Sequence, residues 1–148
     1  MIIINVEGKI QGKSRPRFRR VGNYVKPYNT QDDTSYENLL KLLYAEQNKD
    51  NDSKIKYFND EPLILEIIVN FDIPSSFSKV KRKKALEGEI YPTKKPDFDN
   101  IAKIVADALN KIAYKDDKQI VESHIYKRYN TYSYVEICIF GVNEKRIE

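Results

Sequence analysis

The sequence predicts an α/β (α+β) domain built as a small mixed β-sheet with helices packed on it. Three observations predict it. Residues 63–71 form an apolar, β-branched run whose only polar members are Glu66 and Asn70, which suits a strand in the middle of a sheet. Ile101, Ile104, Val105, Ala108, Leu109 and Ile112 recur at the i, i+3, i+4, i+7 spacing of an amphipathic helix. The order of signals along the chain is β, flap, α, β, short α, long α, β, β, and mixed order of this kind builds a layered sheet-and-helix domain.

Each element has a local reason. Ile2, Ile4 and Val6 alternate towards one face, as in a first strand. Residues 12–29 are basic and irregular, with Val21-Gly22-Asn23-Tyr24 as a tight turn between two extended arms of an exposed flap. Thr30 followed by Asp33 marks a helix start, and Tyr36, Leu39, Leu40 and Leu43 carry the helix to about residue 47. Residues 48–61 are a polar loop, rich in Asn, Asp and Lys. After the strand over 63–71, Pro74-Ser75-Ser76 interrupts the chain, and a short helix runs over 77–87 to stop near Gly88. Residues 89–96 are extended, and the long helix covers about 99–113. Residues 120–128 read as a strand and 131–140 as its antiparallel partner. Residues 143–148 form a polar tail.

With 148 residues, 41% hydrophobic and 32% charged, the chain reads as one globular domain over 1–148. It has no apolar run of membrane-spanning length and no signal-peptide pattern at its N-terminus. The single cysteine, Cys138, excludes an internal disulfide framework and suits a cytoplasmic location. With one histidine, His124, it does not make a zinc site. Both read as strand residues. The net charge of +4 is modest, but its distribution is not even. Lys13, Arg15, Arg17, Arg19 and Arg20 form one acid-free run; Lys79, Lys81, Arg82, Lys83 and Lys84 form another. A single run is often a solvated face. Two of them around an acidic site point to a polyanion gripped by its backbone.

That acidic site is the centre of the chain. Five carboxylates fall between Asp97 and Asp117. Asp97 or Asp99 suits a helix cap, and Asp116-Asp117 suits a turn. An Asp-x-Asp pair and a second acidic pair returned by one helix also form an oxygen-rich set suited to Mg²⁺, with Mn²⁺ as an alternative. An EF-hand does not fit, because Ile101 and Ala102 stand where a ligand and a glycine are needed. Lys103, one turn into the helix, points at the same region as a phosphate-holding group. Asn100 and Asp116 are supporting residues that orient the acids.

Lys95-Pro96-Asp97-Phe98-Asp99-Asn100, Lys103, Asp107-Ala108-Leu109 and Asp116-Asp117-x-Gln119, with Ser14-Arg15-Pro16-Arg17 and Ile73-Pro74-x-Ser76-x-Ser78-Lys79 upstream, resemble the RusA family of Holliday-junction resolvases, in its Gram-positive and phage form. The resemblance covers roughly residues 1–140. It implies a homodimeric, Mg²⁺-dependent endodeoxyribonuclease that resolves four-way DNA junctions in recombination and repair. The family's acidic residues fall on Asp97, Asp99 and Asp117, and its lysine on Lys103. The two basic runs would then bind DNA. A non-catalytic nucleic-acid-binding protein with a structural acidic cluster is the alternative. A phosphohydrolase of small nucleotides is disfavoured, since a small substrate needs no pair of basic runs.

Overall fold

The computed structural model describes residues 1–14, 17–28 and 31–144. A four-stranded mixed sheet is built from β1 (Ile2–Glu7), β4 (Leu63–Asp72), β5 (Ile120–Asn130) and β6 (Tyr134–Gly141), in the order β1-β6-β4-β5. A separate hairpin joins β2 (Arg17–Val21) to β3 (Tyr24–Tyr28) and forms the expected flap. Among the described residues three α-helices complete the fold: α1 (Gln31–Gln47), α2 (Lys79–Leu86) and α3 (Phe98–Leu109). Among the described residues no helix is long and apolar enough to cross a membrane.

The core lies between one face of the sheet and the helices. Ile2, Ile4 and Val6 of β1 pair in register with Ile139, Ile137 and Val135 of β6. Those three face Leu65, Ile67 and Val69 of β4. Ile101, Ile104, Val105, Ala108 and Leu109 of α3 join them, with Tyr36, Leu40 and Tyr44 of α1. On α1 the buried stripe is therefore Tyr36-Leu40-Tyr44, while Leu39 from the expected stripe stands 39% exposed. The i, i+4, i+8 row meets α3; its neighbour turns to solvent.

The apolar run of β4 is interior, flanked by β6 and β5. One expectation is overturned here. β5 and β6 are not antiparallel partners: β5 pairs parallel to β4, and β6 pairs antiparallel to β4 on its other side. The short link between them passes over the end of β4. There the Asp72 N–H donates to Ser133 Oγ at 3.2 Å, and Ser133 Oγ donates to Asp72 Oδ1 at 2.6 Å. β4 is apolar on its core face and keeps Glu66 and Asn70 buried on the other, so it takes the interior place between two half-exposed strands.

Helix α3 also ends earlier than its apolar pattern. Asn110 turns to extended backbone and Lys111 takes a φ of 63°. The apolar residues that follow are used in a turn: the N–H groups of Ile112 and Ala113 donate to the Leu109 carbonyl at 3.0 and 2.9 Å. Ala113 and Tyr114 are buried there, and Tyr114 Oη donates to the Ala106 carbonyl at 2.8 Å. The turn redirects the chain, so that Asp116-Asp117 comes back beside α3.

Candidate active site

Asp97 is the N-cap of α3, with extended backbone, and its side chain accepts none of the helix N–H groups. Its carboxylate is thus uncommitted to capping. Asp99 lies in the first turn and Lys103 one turn on, and all three are exposed. Lys103 makes no ion pair among the described residues; Asp107, its neighbour at i+4, is held instead by Lys13, Nζ to Oδ2 3.5 Å. The surface helix pair that would explain Lys103 as ordinary polarity is therefore not made.

The returning acidic pair divides its labour. Asp116 caps a single 3₁₀ turn, Asp117–Gln119. Its Oδ1 accepts the Lys118 N–H at 2.9 Å, while Gln119 Oε1 accepts the Asp116 N–H at 2.9 Å. The Lys118 N–H accordingly holds the Asp116 carboxyl below its ordinary range. Asp117 is exposed and shifted the other way, by partial burial first and then by its neighbours Asp116 and Asp107. A carboxylate crowded by like charges gains most from a cation. Asp116 thus caps the turn, and Asp117 beside it shares a side-chain hydrogen bond with Asp116.

A cleft of about 600 Å³ opens beside Asp97, lined by residues 10–14 on one side and by Lys95, Pro96, Asp97 and Asn100 on the other. The 10–14 strap is tied to both helices. Its Lys13 N–H donates to the Asn100 carbonyl at 3.0 Å. Its Ser14 N–H and hydroxyl donate to the buried Asp33 of α1 at 2.9 and 3.2 Å. Gly12 sits so close to the corner that an added Cβ would stand 2.4 Å from Pro96 Cβ.

The sequence groups Lys13 with the exposed basic run, and the fold corrects this. Lys13 is 8% exposed, and its ammonium lies between Glu37 of α1 and Asp107 of α3. Burial alone would lower its pKa; the hydrogen bond and charge of Glu37, with Asp107, overcome burial and hold it above the ordinary lysine value. Lys13 therefore fastens the strap to the two helices. Arg15 lies outside the described residues, as do the side chains of Arg17 and Arg19. Arg20 is exposed and its Nε donates to the Gly22 carbonyl at 3.2 Å, pinning the flap tip. On α2, Lys79, Lys81, Lys83 and Lys84 are exposed. Arg82 is half-buried, with Nη2 3.5 Å from the Pro74 carbonyl.

The structure adds cations that no run in the sequence announces. Lys94 and Lys127 both lie over the ring of Phe71, at 5.2 and 5.8 Å, and the Lys127 ammonium donates to the Lys94 carbonyl. The dipeptides Lys94-Lys95 and Lys127-Arg128 were the available signal, but only strand register places them at one end of the sheet.

Among the described residues, Asp97, Asp99 and Asp117 included, no group of three or more His, Cys, Asp or Glu side chains is gathered closely enough to hold a metal ion. Asp97, Asp99 and Asp117 are each exposed, and the Asp97 side chain makes no capping hydrogen bond. Mg²⁺ takes few carboxylates and keeps its remaining positions for water and phosphate oxygens.

Comparison with known proteins shows the family. An uncharacterized protein of Bacillus subtilis (strain 168), YqaN, is 42% identical over 84 residues, 55% of this chain. The match spans 59% of that relative's own length. The model of the family described as Endodeoxyribonuclease RusA matches residues 7–140, from the end of β1 through β6 and across the strap, α3 and both acidic pairs. The chain belongs to the RusA endodeoxyribonuclease family.

Proposed function

We propose that this protein is a Mg²⁺-dependent endodeoxyribonuclease that resolves four-way DNA junctions by paired phosphodiester hydrolysis. The observation that carries the reading is the end of α3. There Asp97 caps without spending its carboxylate, and Lys103 makes no ion pair among the described residues while Asp107 is held by Lys13. Asp97, Asp99 and Asp117 would hold the metal. When bound, Mg²⁺ offsets the carboxylate charges, polarises the phosphoryl oxygens and eases ionisation of the attacking water. Lys103 binds the scissile phosphate as a point charge. Asn100, whose carbonyl is fixed by the Lys13 N–H, orients the acidic turn. Arg20 of the flap and the exposed lysines of α2 would grip phosphates of the DNA backbone. Two symmetric cuts require two sites, so the acting species is a homodimer. The proposed setting is the cytoplasm of a bacterium, with the gene carried by the host or a phage.

The test is direct. Purified protein should nick a synthetic four-way junction in Mg²⁺ or Mn²⁺, with no product in EDTA. Tight junction binding without any cleavage in either metal would replace this reading with a non-catalytic binding role. A stable, fully active monomer in sedimentation would remove the dimer.

A further inference from the structure

We propose that a second cleft, at the open edge of β5, seats one unpaired nucleotide of the DNA strand that leads to the acidic site. This rests on the nuclease reading only in taking DNA as the partner.

The two edges of the sheet are treated differently. At β1 the outer edge is closed by amide side chains from the end of α1. Asn48 exchanges hydrogen bonds with the Ile3 N–H and carbonyl at 3.1 and 2.9 Å, and Gln47 does the same with Asn5 at 2.7 and 3.0 Å. Such closure prevents a further chain from pairing there. β5 has no such cover along its outer edge among the described residues. Helix α2 leans on it near one end, where Phe77 meets Tyr129 edge-on at 5.6 Å.

Between the end of α2 and β5 lies a cleft of about 370 Å³, lined by Leu86, Ile90, Tyr91, Arg128 and Tyr129. Tyr91 is 61% exposed and Leu86 48%. Scattered exposed apolar residues need no explanation, but these converge on one cavity. Its volume is at the low end for ligand sites and suits a single ring system, not a duplex. Tyr91 and Tyr129 line it without a ring contact to each other. The surroundings are cationic. Arg128 lines the cleft with its guanidinium 5.1 Å from the Tyr126 ring centre, and Lys84 occupies the last turn of α2. Of the rim acids, Glu87 is answered by Lys83 at 3.9 Å, and Glu89 stands exposed between Gly88 and Ile90. An apolar aromatic floor with Arg128 in its wall and Lys84 nearby matches a base with its phosphate. Tyr91 also precedes Asp97 by six residues, a reach of at most about 20 Å, so one strand spans both places.

The experiment uses the full-length protein in EDTA and a short single-stranded oligodeoxynucleotide carrying a central 2-aminopurine. Wild type should bind it and quench the fluorescence. Tyr91→Ala should abolish the quench and weaken single-strand binding about five- to hundred-fold, the range set by one base–aromatic stack. Tyr91→Phe should retain both, and binding of a blunt duplex should be the same in all three proteins. Thermal melting verifies the fold, which an exposed Tyr91 does not hold together. Wild-type quenching and affinity in Tyr91→Ala would overturn the proposal, as would equal losses for single strand and duplex. Because no cleavage is measured, failure here leaves the nuclease reading intact. An inactive protein that stacks the base leaves the cleft standing.

Discussion

Gly12→Ala isolates the contribution of the strap to catalysis. The backbone at Gly12 is not in the left-handed region, so alanine is sterically barred only by its surroundings. Those are tight: the new methyl would stand 2.4 Å from Pro96 Cβ, 3.2 Å from Pro96 Cγ and 3.4 Å from Asn100 Cβ. A comfortable carbon–carbon contact is about 3.5–4.0 Å, so strap and corner must separate by roughly 1 Å. Proline is rigid and cannot swing aside. Overpacking of this size costs about 1–3 kcal/mol, or about 2–4 °C of Tm for each kcal/mol in a domain of this length. The displaced residue is bonded directly to Asp97, and a misplacement of about 1 Å at a reacting centre slows chemistry about 10²-fold. Gly8→Ala is the control. Gly8 has a φ of 93° with open space around its Cβ position, so alanine is strained there by backbone alone, at a cost of about 1 kcal/mol. Calorimetry and single-turnover junction cleavage at saturating Mg²⁺ compare the two. Both variants should melt lower, and only Gly12→Ala should cut more slowly. Wild-type cleavage by Gly12→Ala would refute the coupling of strap to Asp97.

Four further outcomes are expected. Lys103→Ala should slow cleavage about 10²–10³-fold while metal affinity and Tm stay near wild type, and an unchanged rate would strike Lys103 from the site. Lys81→Ala with Lys83→Ala should flatten the salt dependence of junction binding by up to about 0.9 in slope per lost phosphate contact; an unchanged slope would make α2 a solvated face. Lys13→Met should cost about 3 kcal/mol in urea unfolding, the lower end for breaking a buried ion pair because Asp107 stays partly solvated, and a loss under about 1 kcal/mol would count against the pairing. Ser133→Ala should cost about 0.5–1.5 kcal/mol at neutral pH. The Ser133 hydroxyl lowers the Asp72 pKa, so this stability is present above the ordinary carboxylate value and disappears as pH falls through the depressed one. The difference between the two proteins should narrow below about pH 4 to what the Asp72 N–H bond to Ser133 Oγ contributes, and a pH-independent gap would assign the whole loss to that bond and to packing.

Local pattern carried the sequence reading where the physics is local. The 3.6-residue stripe of α3 places Ile101, Ile104, Val105, Ala108 and Leu109 in the core whatever lies opposite, and so turns Asp99 and Lys103 outward. The apolar length of β4 implied its interior position. The turn at Gly22 implied the flap, and Ser78 and Gly88 bracket α2 at a cap and at a φ of 77°. The Asp97/Asp99, Lys103, Asp116/Asp117 spacing likewise carried the resemblance to the RusA family, which the family match over residues 7–140 bears out.

Tertiary structure decided what depends on neighbours. Alternation in 120–140 shows two strands and their faces but not their partners, and the pairing followed from β4 needing cover on both edges. Apolar residues at 112–113 continue the helical period, yet Lys111 turns the chain so that Asp117 comes back to α3. Charge runs record composition, not burial: Lys13 is indistinguishable in sequence from its arginine neighbours, and only the acids of two helices around it draw it inside. Capping, too, was settled by geometry, since Asp116 gives its carboxylate to a turn while Asp97 does not. The sequence alone determined which residue types could do chemistry and where along the chain they stand. Their availability for it depended on hydrogen bonds and ion pairs from residues remote in the chain, because a side chain already satisfied by the fold has no free oxygen or charge left for a substrate.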